Sequence, residues 1–258
     1  MIGFVLVVLL VIILVFLTYL WHSRSGVRVL MYHKVVTQDS DFLSVTTTQF
    51  EAQLTYLKRK NYQFITAQNV LDFYIDNKPL PLKPLLLTFD DGYLNNLELA
   101  YPILKKHGVK ATIFIPTFFV GKENAWDNGN DKIMSIEQLK NLDPSVFELA
   151  LHSHEHRNYI DLSVAEIASD VAQNVAFFKK NNLNYTPVLA YPYGGRPENE
   201  VKSRMITVFK MMGIKAAFRI GNRINPLIVN DLYELNRIDV RGNDNFWLFK
   251  WKVRVGKI

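Results

Sequence analysis

The stretch LLLTFDDGY, residues 85–93, decides the fold of this 258-residue chain. Its apolar run indicates a buried strand, which ends abruptly in two adjacent carboxylates and a glycine. Because neighbouring residues of a strand point to opposite faces, Asp90 and Asp91 need not share one role. A turn at this point can direct one carboxylate to a metal ion and leave the other free as a base. By itself, an Asp-Asp-Gly sequence is more often a surface turn.

A second polar cluster follows another apolar, strand-like run. In LHSHEH, residues 151–156, three imidazoles alternate, those of His152, His154 and His156. One carboxylate with two imidazoles is a ligand set typical of catalytic metal sites, which keep coordination positions open for water. Alone, the histidine cluster would equally suit an exposed polar loop. Two such clusters at predicted strand ends favour a metal site.

The rest of the chain alternates short apolar runs with helical patterns, which predicts a parallel α/β fold. Strands are predicted at residues 27–32, 85–89, 109–115, 147–151, 188–191, 215–218 and 235–240. Helices are predicted after a cap at Thr48 and at residues 67–75, 94–106, 135–141, 163–180 and 199–212, with the 94–106 stretch broken at Pro102. Functional residues of such folds gather at the carboxyl ends of the strands. Periodicity alone does not distinguish a closed barrel from a doubly wound sheet.

Four segments together resemble a known family. TFDDG (88–92), HSHEH (152–156) and AYPYG (190–194) resemble the first three motifs of the polysaccharide deacetylases, carbohydrate esterase family 4. VLMYHKV (29–35) is similar to the opening strand of the subgroup that de-N-acetylates poly-N-acetylglucosamine, the intercellular adhesin deacetylases. The resemblance covers roughly residues 27–250. It implies a distorted seven-stranded (β/α) barrel, and we expect one catalytic domain over residues 27–258.

The resemblance also implies a role for each candidate residue. It makes Asp91, His152 and His156 the ligands of one divalent metal, for which we expect Zn²⁺ with Fe²⁺, Co²⁺ or Ni²⁺ as alternatives. Asp90 becomes the general base, and the backbone N–H of Tyr193 a donor to the oxyanion. In an extended segment His154 points elsewhere, and we expect it to be structural.

Two positions depart from the usual family pattern. No histidine follows residue 156, and the resemblance gives the place of the general acid to His33, which otherwise caps a strand beside solvent. Ala190 stands where many family members carry an arginine that orients the base. Arg237 and Arg196 are candidate substitutes. The alternative for Arg237 is a salt bridge at the rim.

The N-terminal segment is predicted to be a transmembrane anchor over residues 1–22. Ile2 to Trp21 is a run of twenty uncharged residues, long enough to cross a hydrocarbon core of about 30 Å. It lacks the basic start and the small-residue cleavage site of a signal peptide. Arg24 and Arg28 follow the run, which by the positive-inside rule favours a cytoplasmic domain. Because the similar enzymes act on exported glycans, we nevertheless expect a single-pass protein of the cell membrane with an extracellular catalytic domain.

The amino-acid composition limits the classes of partner that the chain could bind. The net charge of +6 favours anionic surfaces, but no dense run of Lys and Arg indicates nucleic-acid binding. Cysteine is absent, which excludes disulfides and thiolate ligands. We expect a monomer that acts on an N-acetylated glycan, on whose rings Trp126, Tyr159 or Trp247 could stack.

The sequence therefore predicts a metal-dependent hydrolase that removes N-acetyl groups from an extracellular polysaccharide, poly-N-acetylglucosamine. Alternatives are a deacetylase of peptidoglycan or chitooligosaccharides and a non-catalytic glycan-binding protein on the same fold. The last would most simply have lost an acid or a ligand, and Asp90, Asp91, His152 and His156 are all present.

Overall fold

The computed structural model of the chain describes residues 26–256, together with Val7 and Leu9. Its strands are β1 (Arg28–Tyr32), β2 (Lys34–Val36), β3 (Ser44–Thr46), β4 (Gln63–Ile65), β5 (Pro84–Phe89), β6 (Ala111–Ile115), β7 (Phe147–Leu151), β8 (Thr186–Ala190), β9 (Ala216–Ile220) and β10 (Leu235–Asp239). Its α-helices are α1 (Thr47–Arg59), α2 (Ala67–Asp76), α3 (Tyr101–His107), α4 (Ile136–Lys140), α5 (Val164–Lys180), α6 (Asn199–Met211) and α7 (Phe246–Val255).

Seven parallel strands close into a barrel. β1 pairs with β10 on one side and with β5 on the other. The order around the ring is therefore β1, β5, β6, β7, β8, β9 and β10, and β10 closes on β1. The predicted (β/α) barrel is confirmed, and an open doubly wound sheet is excluded. The ring is distorted at β5, whose first half pairs with β4 and whose second half pairs with β6. β2 and β3 form a separate parallel pair.

Alternation along the strands divides the core into two layers. Leu86 of β5 lies in the barrel interior with Phe114 and Phe218, whereas Leu87 packs outward among the residues beneath the helices. Ala150 of β7 and Leu235 of β10 also face the interior. Continuing the two-residue period carries Asp90, His152 and Arg237 onto the same inward face. The pleat therefore aims three polar side chains at the carboxyl mouth of the barrel.

The helices begin close to their predicted starts because local capping defines them. Ser163 caps α5 and forms a reciprocal pair with Glu166, as the predicted start of this helix requires. α1 begins two residues earlier than predicted, since Thr46 rather than Thr48 makes the capping box, with Gln49. A π-helix over Asn96–Ala100 runs directly into α3, and Pro102 lies in the first turn of α3, where its missing N–H is harmless.

Three of the described strands and one of the described α-helices were not predicted. β2, β3 and β4 are three residues long, too short to show a period. α7, with the sequence FWLFKWKVRV, mixes aromatic and basic residues without a clear apolar stripe.

The predicted transmembrane helix over residues 1–22 lies outside the described residues, apart from Val7 and Leu9. Within the described part of the chain, no helix combines the length and the apolar character needed to span a bilayer.

Candidate active site

A cavity of about 290 Å³ opens at the carboxyl ends of the barrel strands. It is lined by the six residues for which the sequence predicted a catalytic or metal-binding role, namely His33, Asp90, Asp91, His152, His156 and Tyr193. His33 follows β1, the two acids follow β5, the histidine cluster follows β7, and Tyr193 follows β8. The parallel barrel therefore brings together residues that are up to 160 positions apart in the sequence.

Asp91, His152 and His156 form the part of the site that could hold a metal. Asp91 Oδ1 lies 3.3 Å from His152 Nε2 and 3.1 Å from His156 Nε2, and all three residues are buried. Although both nitrogens are near, Oδ1 accepts no hydrogen bond of acceptable geometry. A buried carboxylate oxygen without a donor is costly, and a cation among these three atoms would remove that cost. The residues therefore fit a divalent metal, and the set of two imidazoles and one carboxylate suits Zn²⁺, Fe²⁺, Co²⁺ or Ni²⁺.

The ring of His152 is fixed in the tautomer that a metal ligand requires. Its Nδ1 lies 2.8 Å from the carbonyl oxygen of Ala190. Because a carbonyl only accepts, Nδ1 carries a proton, which leaves the lone pair of Nε2 available to a metal when the ring is neutral. The ring of His156 is held instead by packing, with centroid distances of 4.5 Å to Trp126 and 4.9 Å to Tyr193.

Left-handed backbone conformations concentrate around these side chains. Asp91 has φ 72°, Ser153 φ 67°, His156 φ 56° and Tyr193 φ 55°. Non-glycine residues rarely adopt this region, and they do so mainly where the surrounding structure enforces it at functional sites. For Asp91 the positive φ has a clear effect. The strand period would turn its side chain outward, and the left-handed turn returns the side chain to the cavity.

Helix α5 holds the histidine loop from below. Asp170 accepts the backbone N–H groups of His154 at 3.0 Å and Glu155 at 2.9 Å, and the hydroxyl of Tyr159 at 2.8 Å. The side chain of His154 turns away, with Nδ1 2.9 Å from Thr117 Oγ1. As predicted from its position, His154 does not join the other two imidazoles. Asp170 was not predicted, because an acid within a helix gives no sign of the loop that it supports.

Asp90 is held by an arginine. Arg237 donates from both terminal nitrogens, at 2.5 and 2.8 Å, to the two oxygens of Asp90, and both residues are buried. Arg237 is thus the substitute for the arginine absent at Ala190, and the rim salt bridge does not form. Arg196 is excluded, because it makes its own bidentate pair with Glu234, at 2.9 and 2.8 Å.

Charges in the cavity decide the protonation of its groups. Burial raises the pKa of Asp90, but the charges of Arg237, His152 and His33 outweigh burial, so the net pKa is lowered. Burial likewise opposes ionisation of Asp91, yet His156 and His152 hold its pKa well below the usual range. For His33 burial prevails and lowers the pKa, although Asp90 and Asp91 act in the opposite direction. At neutral pH both acids are therefore ionised.

His33 lies beside Asp90. Its Nε2 lies 3.9 Å from Asp90 Oδ2, the same distance as His152 Nε2 from that oxygen. Its ring borders the cavity and is largely buried. The structure therefore places His33 where the sequence predicted a second proton carrier.

The mouth of the cavity contains residues that the sequence analysis missed. Phe42 is half exposed, and the guanidinium of Arg241 lies 4.2 Å from its ring centroid. Tyr193 is also half exposed, and its hydroxyl donates to Asp127 Oδ1 at 3.3 Å. Phe42 lies in a loop with no strand or helix pattern, so sequence gave no signal for it.

Two of the three aromatic residues expected to stack on sugar rings are located elsewhere. Tyr159 is fully buried, with its hydroxyl bound to Asp170. Trp247 lies on α7 and does not line the cavity. Trp126 lies beside the site but packs on His156 and Phe119, and therefore supports the ring of His156.

This arrangement of fold and residues is that of a known family. The family model for polysaccharide deacetylases matches residues 77–220, more than half of the chain. The chain therefore belongs to the polysaccharide deacetylase family, and the resemblance inferred from the motifs is confirmed.

Individual relatives agree with this membership. The poly-beta-1,6-N-acetyl-D-glucosamine N-deacetylase of Staphylococcus aureus (strain MRSA252) is 30% identical over 199 residues, which are 74% of this chain and 66% of the relative. YxkH of Bacillus subtilis (strain 168) is 31% identical over 183 residues, 71% of this chain and 62% of the relative. The chain thus spans slightly less than two thirds of these proteins. The structure of IcaB from Ammonifex degensii superposes with a TM-score of 0.75 at 25% identity, covering 89% of this chain and 97% of that chain.

Proposed function

We propose that this protein is a metal-dependent hydrolase that removes N-acetyl groups from poly-N-acetylglucosamine outside the cell. One observation carries the proposal. The unpartnered Oδ1 of Asp91 lies among two imidazole nitrogens, and next to it in the chain Asp90 is ionised and fixed by Arg237. A ligand set that suits a divalent cation, beside an oriented base, is the arrangement that metal-dependent hydrolysis of an amide uses.

The metal-binding residues would be Asp91, His152 and His156. A divalent metal held there supplies Lewis acidity and lowers the pKa of water bound to it. Asp90 is positioned to accept a proton from the attacking water, and Arg237 fixes both of its oxygens so that its orientation does not change. Because the pKa of Asp90 is lowered, the base is in its ionised form at neutral pH.

The remaining chemistry falls to two further groups. His33 borders the same cavity and, when protonated, can donate to the amine that leaves. The backbone N–H of Tyr193 is the proposed donor to the developing oxyanion, and the left-handed conformation at this residue sets the direction of that group. The half-exposed rings of Phe42 and Tyr193 provide apolar surface at the mouth of the cavity, suited to a pyranose ring.

The proposed substrate and the proposed location outside the cell are supported by separate observations. The name of the S. aureus relative favours poly-N-acetylglucosamine as the substrate. The uncharged run from Ile2 to Trp21 supports an anchor in the cell membrane. Arg28 is buried within β1, so it is not a free positive charge beside that run, and this weakens the positive-inside argument for a cytoplasmic domain.

Acetate release tests the reaction. The full chain, treated with chelator and reloaded with each candidate metal in turn, is incubated with poly-N-acetylglucosamine oligomers, chitooligosaccharides and peptidoglycan. We expect metal-dependent release from the first substrate and none from the Asp90→Asn variant. Acetate release mainly from another polymer would support the proposed reaction but contradict the proposed substrate. Glycan binding with no release under any metal would identify a binding protein.

Protease accessibility tests the location. In intact cells, added protease should cleave the barrel domain while the first segment stays with the membrane fraction. A protected domain would place the barrel in the cytoplasm, and a mature chain beginning near Ser23 would show that the segment is cleaved.

A further inference from the structure

An exposed aromatic and basic surface lies at the end of the barrel opposite the cavity. We call it the basal surface and define it by Lys60, Tyr62, Lys83, Trp247, Lys250, Trp251 and Arg254, which line one groove with Tyr56 and Arg28. Tyr62 directly precedes β4 and Lys83 directly precedes β5, so the surface lies at the amino ends of the strands. The proposed chemistry at the carboxyl ends makes no use of it.

The aromatic part of this surface is unusually exposed. Trp247 is 63% exposed and Trp251 37%, and their rings stack at 5.6 Å with an interplanar angle of 19°. The two tryptophans are four residues apart on α7, whose opposite side buries Phe249 and Val253. Leu82, beside Lys83, is 88% exposed. Indole rings and a leucine side chain held out into water favour a partner that offers an apolar phase next to a polar one.

The charge of the groove indicates which charge the partner carries. Among the described residues that line it there are four basic side chains besides the buried Arg28, and no carboxylate. Lys60, Lys83 and Arg254 are exposed, and Lys250 lies 4.3 Å from the ring centroid of Phe246. A basic surface with interleaved tryptophans matches anionic lipid headgroups above acyl chains. There the positive charges are attracted to the headgroups, and the indole rings lie at the boundary between headgroups and acyl chains.

The path of the chain favours a membrane over a free polymer. Arg28 donates its Nε to the carbonyl of Val253, which fixes the start of β1 against the end of α7. The uncharged run of Ile2 to Trp21 ends five residues before Gly26, and five residues reach at most about 18 Å. The described range of the chain therefore begins beside the basal surface, with the carbonyl of Gly26 accepting from Arg28 of the groove.

We propose that the basal surface docks on the anionic phospholipid surface of the membrane. In this orientation the cavity faces away from the lipid, since it lies at the other end of strands that are five or six residues, or about 16–20 Å, long. The barrel would then address polymer above the membrane. This inference concerns a surface outside the active site, and its test does not depend on the proposed reaction.

The test uses the full chain bound to lipid vesicles. Because the chain contains no cysteine, a single introduced cysteine can carry a fluorophore that reports the polarity of its surroundings. Leu82→Cys places the fluorophore on the basal surface, and Glu123→Cys places it on an exposed loop at the cavity end. With phosphatidylglycerol in the vesicles, we expect a blue shift at position 82 that high salt reverses, and no shift at position 123. Vesicles of phosphatidylcholine alone should give a smaller shift.

Charge reversal provides the matched control. Each Lys near an anionic surface contributes roughly a five-fold preference for the docked state, so Lys60→Glu with Lys83→Glu should lower the ratio of docked to undocked protein at least about 25-fold. Lys122→Glu with Lys132→Glu changes the net charge equally at the cavity end and should leave the shift intact. Circular dichroism reports whether each variant is folded.

Three outcomes would overturn the proposal. Equal shifts at positions 82 and 123 would show non-specific adsorption. No response at position 82 to phosphatidylglycerol or to salt would show that the surface does not meet lipid, and this result needs no charge variant. A shift produced by soluble heparin but not by vesicles would assign the surface to an anionic polymer.

Discussion

The two halves of the cavity are built in contrasting ways. On one side Asp91, His152 and His156 bring buried polar atoms together and leave Asp91 Oδ1 without a hydrogen bond. On the other side Asp90 has both oxygens satisfied by Arg237, so this half is complete within the chain. The first half depends on left-handed backbone at Asp91 and His156, whereas Asp90 and Arg237 follow the ordinary alternation of the strands. The contrast separates the residues that would hold a metal from the residue that would act as the base.

The largest effect is expected from removing a ligand. His156→Ala should abolish stoichiometric metal binding and turnover together, because one of three coordinating atoms is lost. His154→Ala, two residues away, should retain the metal, since this ring faces Thr117 and not Asp91. Elemental analysis after dialysis measures both variants. Equal loss of metal from the two would contradict the division of the loop into ligand and support.

The metal should also leave as the pH falls. Burial lowers the pKa of His152, but Asp90 and Asp91 outweigh burial, so the net pKa is raised and protons compete with the metal at Nε2. A titration of metal content from neutral to acid pH should show this release before the barrel unfolds, as monitored by circular dichroism.

The next largest loss of activity is expected from replacing Asp90, in the half of the cavity that Arg237 completes. Asp90→Asn should lower kcat by up to about 10⁴-fold, the upper range for loss of a general base. Metal content should not change, because Asp91 and both histidines remain. Single-turnover assays with equal metal loading measure the chemical step. If the variant loses its metal as well, the two halves are not separate and Asp90 belongs to the ligand set.

Replacing His33, the proposed second proton carrier, should give the next largest decrease in kcat. His33→Ala should lower kcat by about 10²–10⁴-fold and flatten the basic limb of the pH–rate profile. The group must be protonated to serve the amine, and because its pKa is lowered, the basic limb begins at a lower pH than an exposed histidine would give. His107→Ala is the matched control, since both side chains are 14% exposed and only His33 borders the cavity. An unchanged basic limb would assign the proton to another group.

Replacing Arg237 tests what keeps the base ionised. Arg237→Met removes the largest of the charges that offset burial at Asp90, so the pKa of Asp90 should rise and the acid limb of the profile should move to higher pH. Removing one partner of a buried pair should also cost about 3–5 kcal/mol of stability. In the wild type the lowered pKa of Asp90 stabilises the fold above about pH 4, and this contribution is lost as the pH falls through the folded pKa. Arg196→Met breaks an equivalent bidentate pair outside the cavity and should leave the acid limb unchanged.

The same division explains what sequence could predict. The strands that carry the site are apolar runs of five or six residues ending in polar motifs, so their positions and the residues after them followed from pattern. The choice between Arg237 and Arg196 as the partner of Asp90 did not follow, because Arg237 is 147 positions away and its pairing depends on β10 closing against β1. Asp170 and Phe42 were missed for the same reason, since their roles arise from contacts between distant segments.

The smallest effect is expected from the support beneath the histidine loop. Asp170 accepts two backbone N–H groups and a hydroxyl with its two oxygens. In Asp170→Asn, one oxygen becomes an NH₂ group that cannot accept, and a loop N–H loses its partner. The loop then holds His152 and His156 less firmly, and metal affinity should fall about 10-fold, the low end for outer partners of metal ligands. Asp143→Asn is the matched control, because Asp143 also accepts a backbone N–H and a hydroxyl, from Ser145, far from the cavity. Competition with a chelator of known affinity measures both. A similar loss of affinity in the two variants would mean that general destabilisation, and not the orientation of the loop, weakens the metal site.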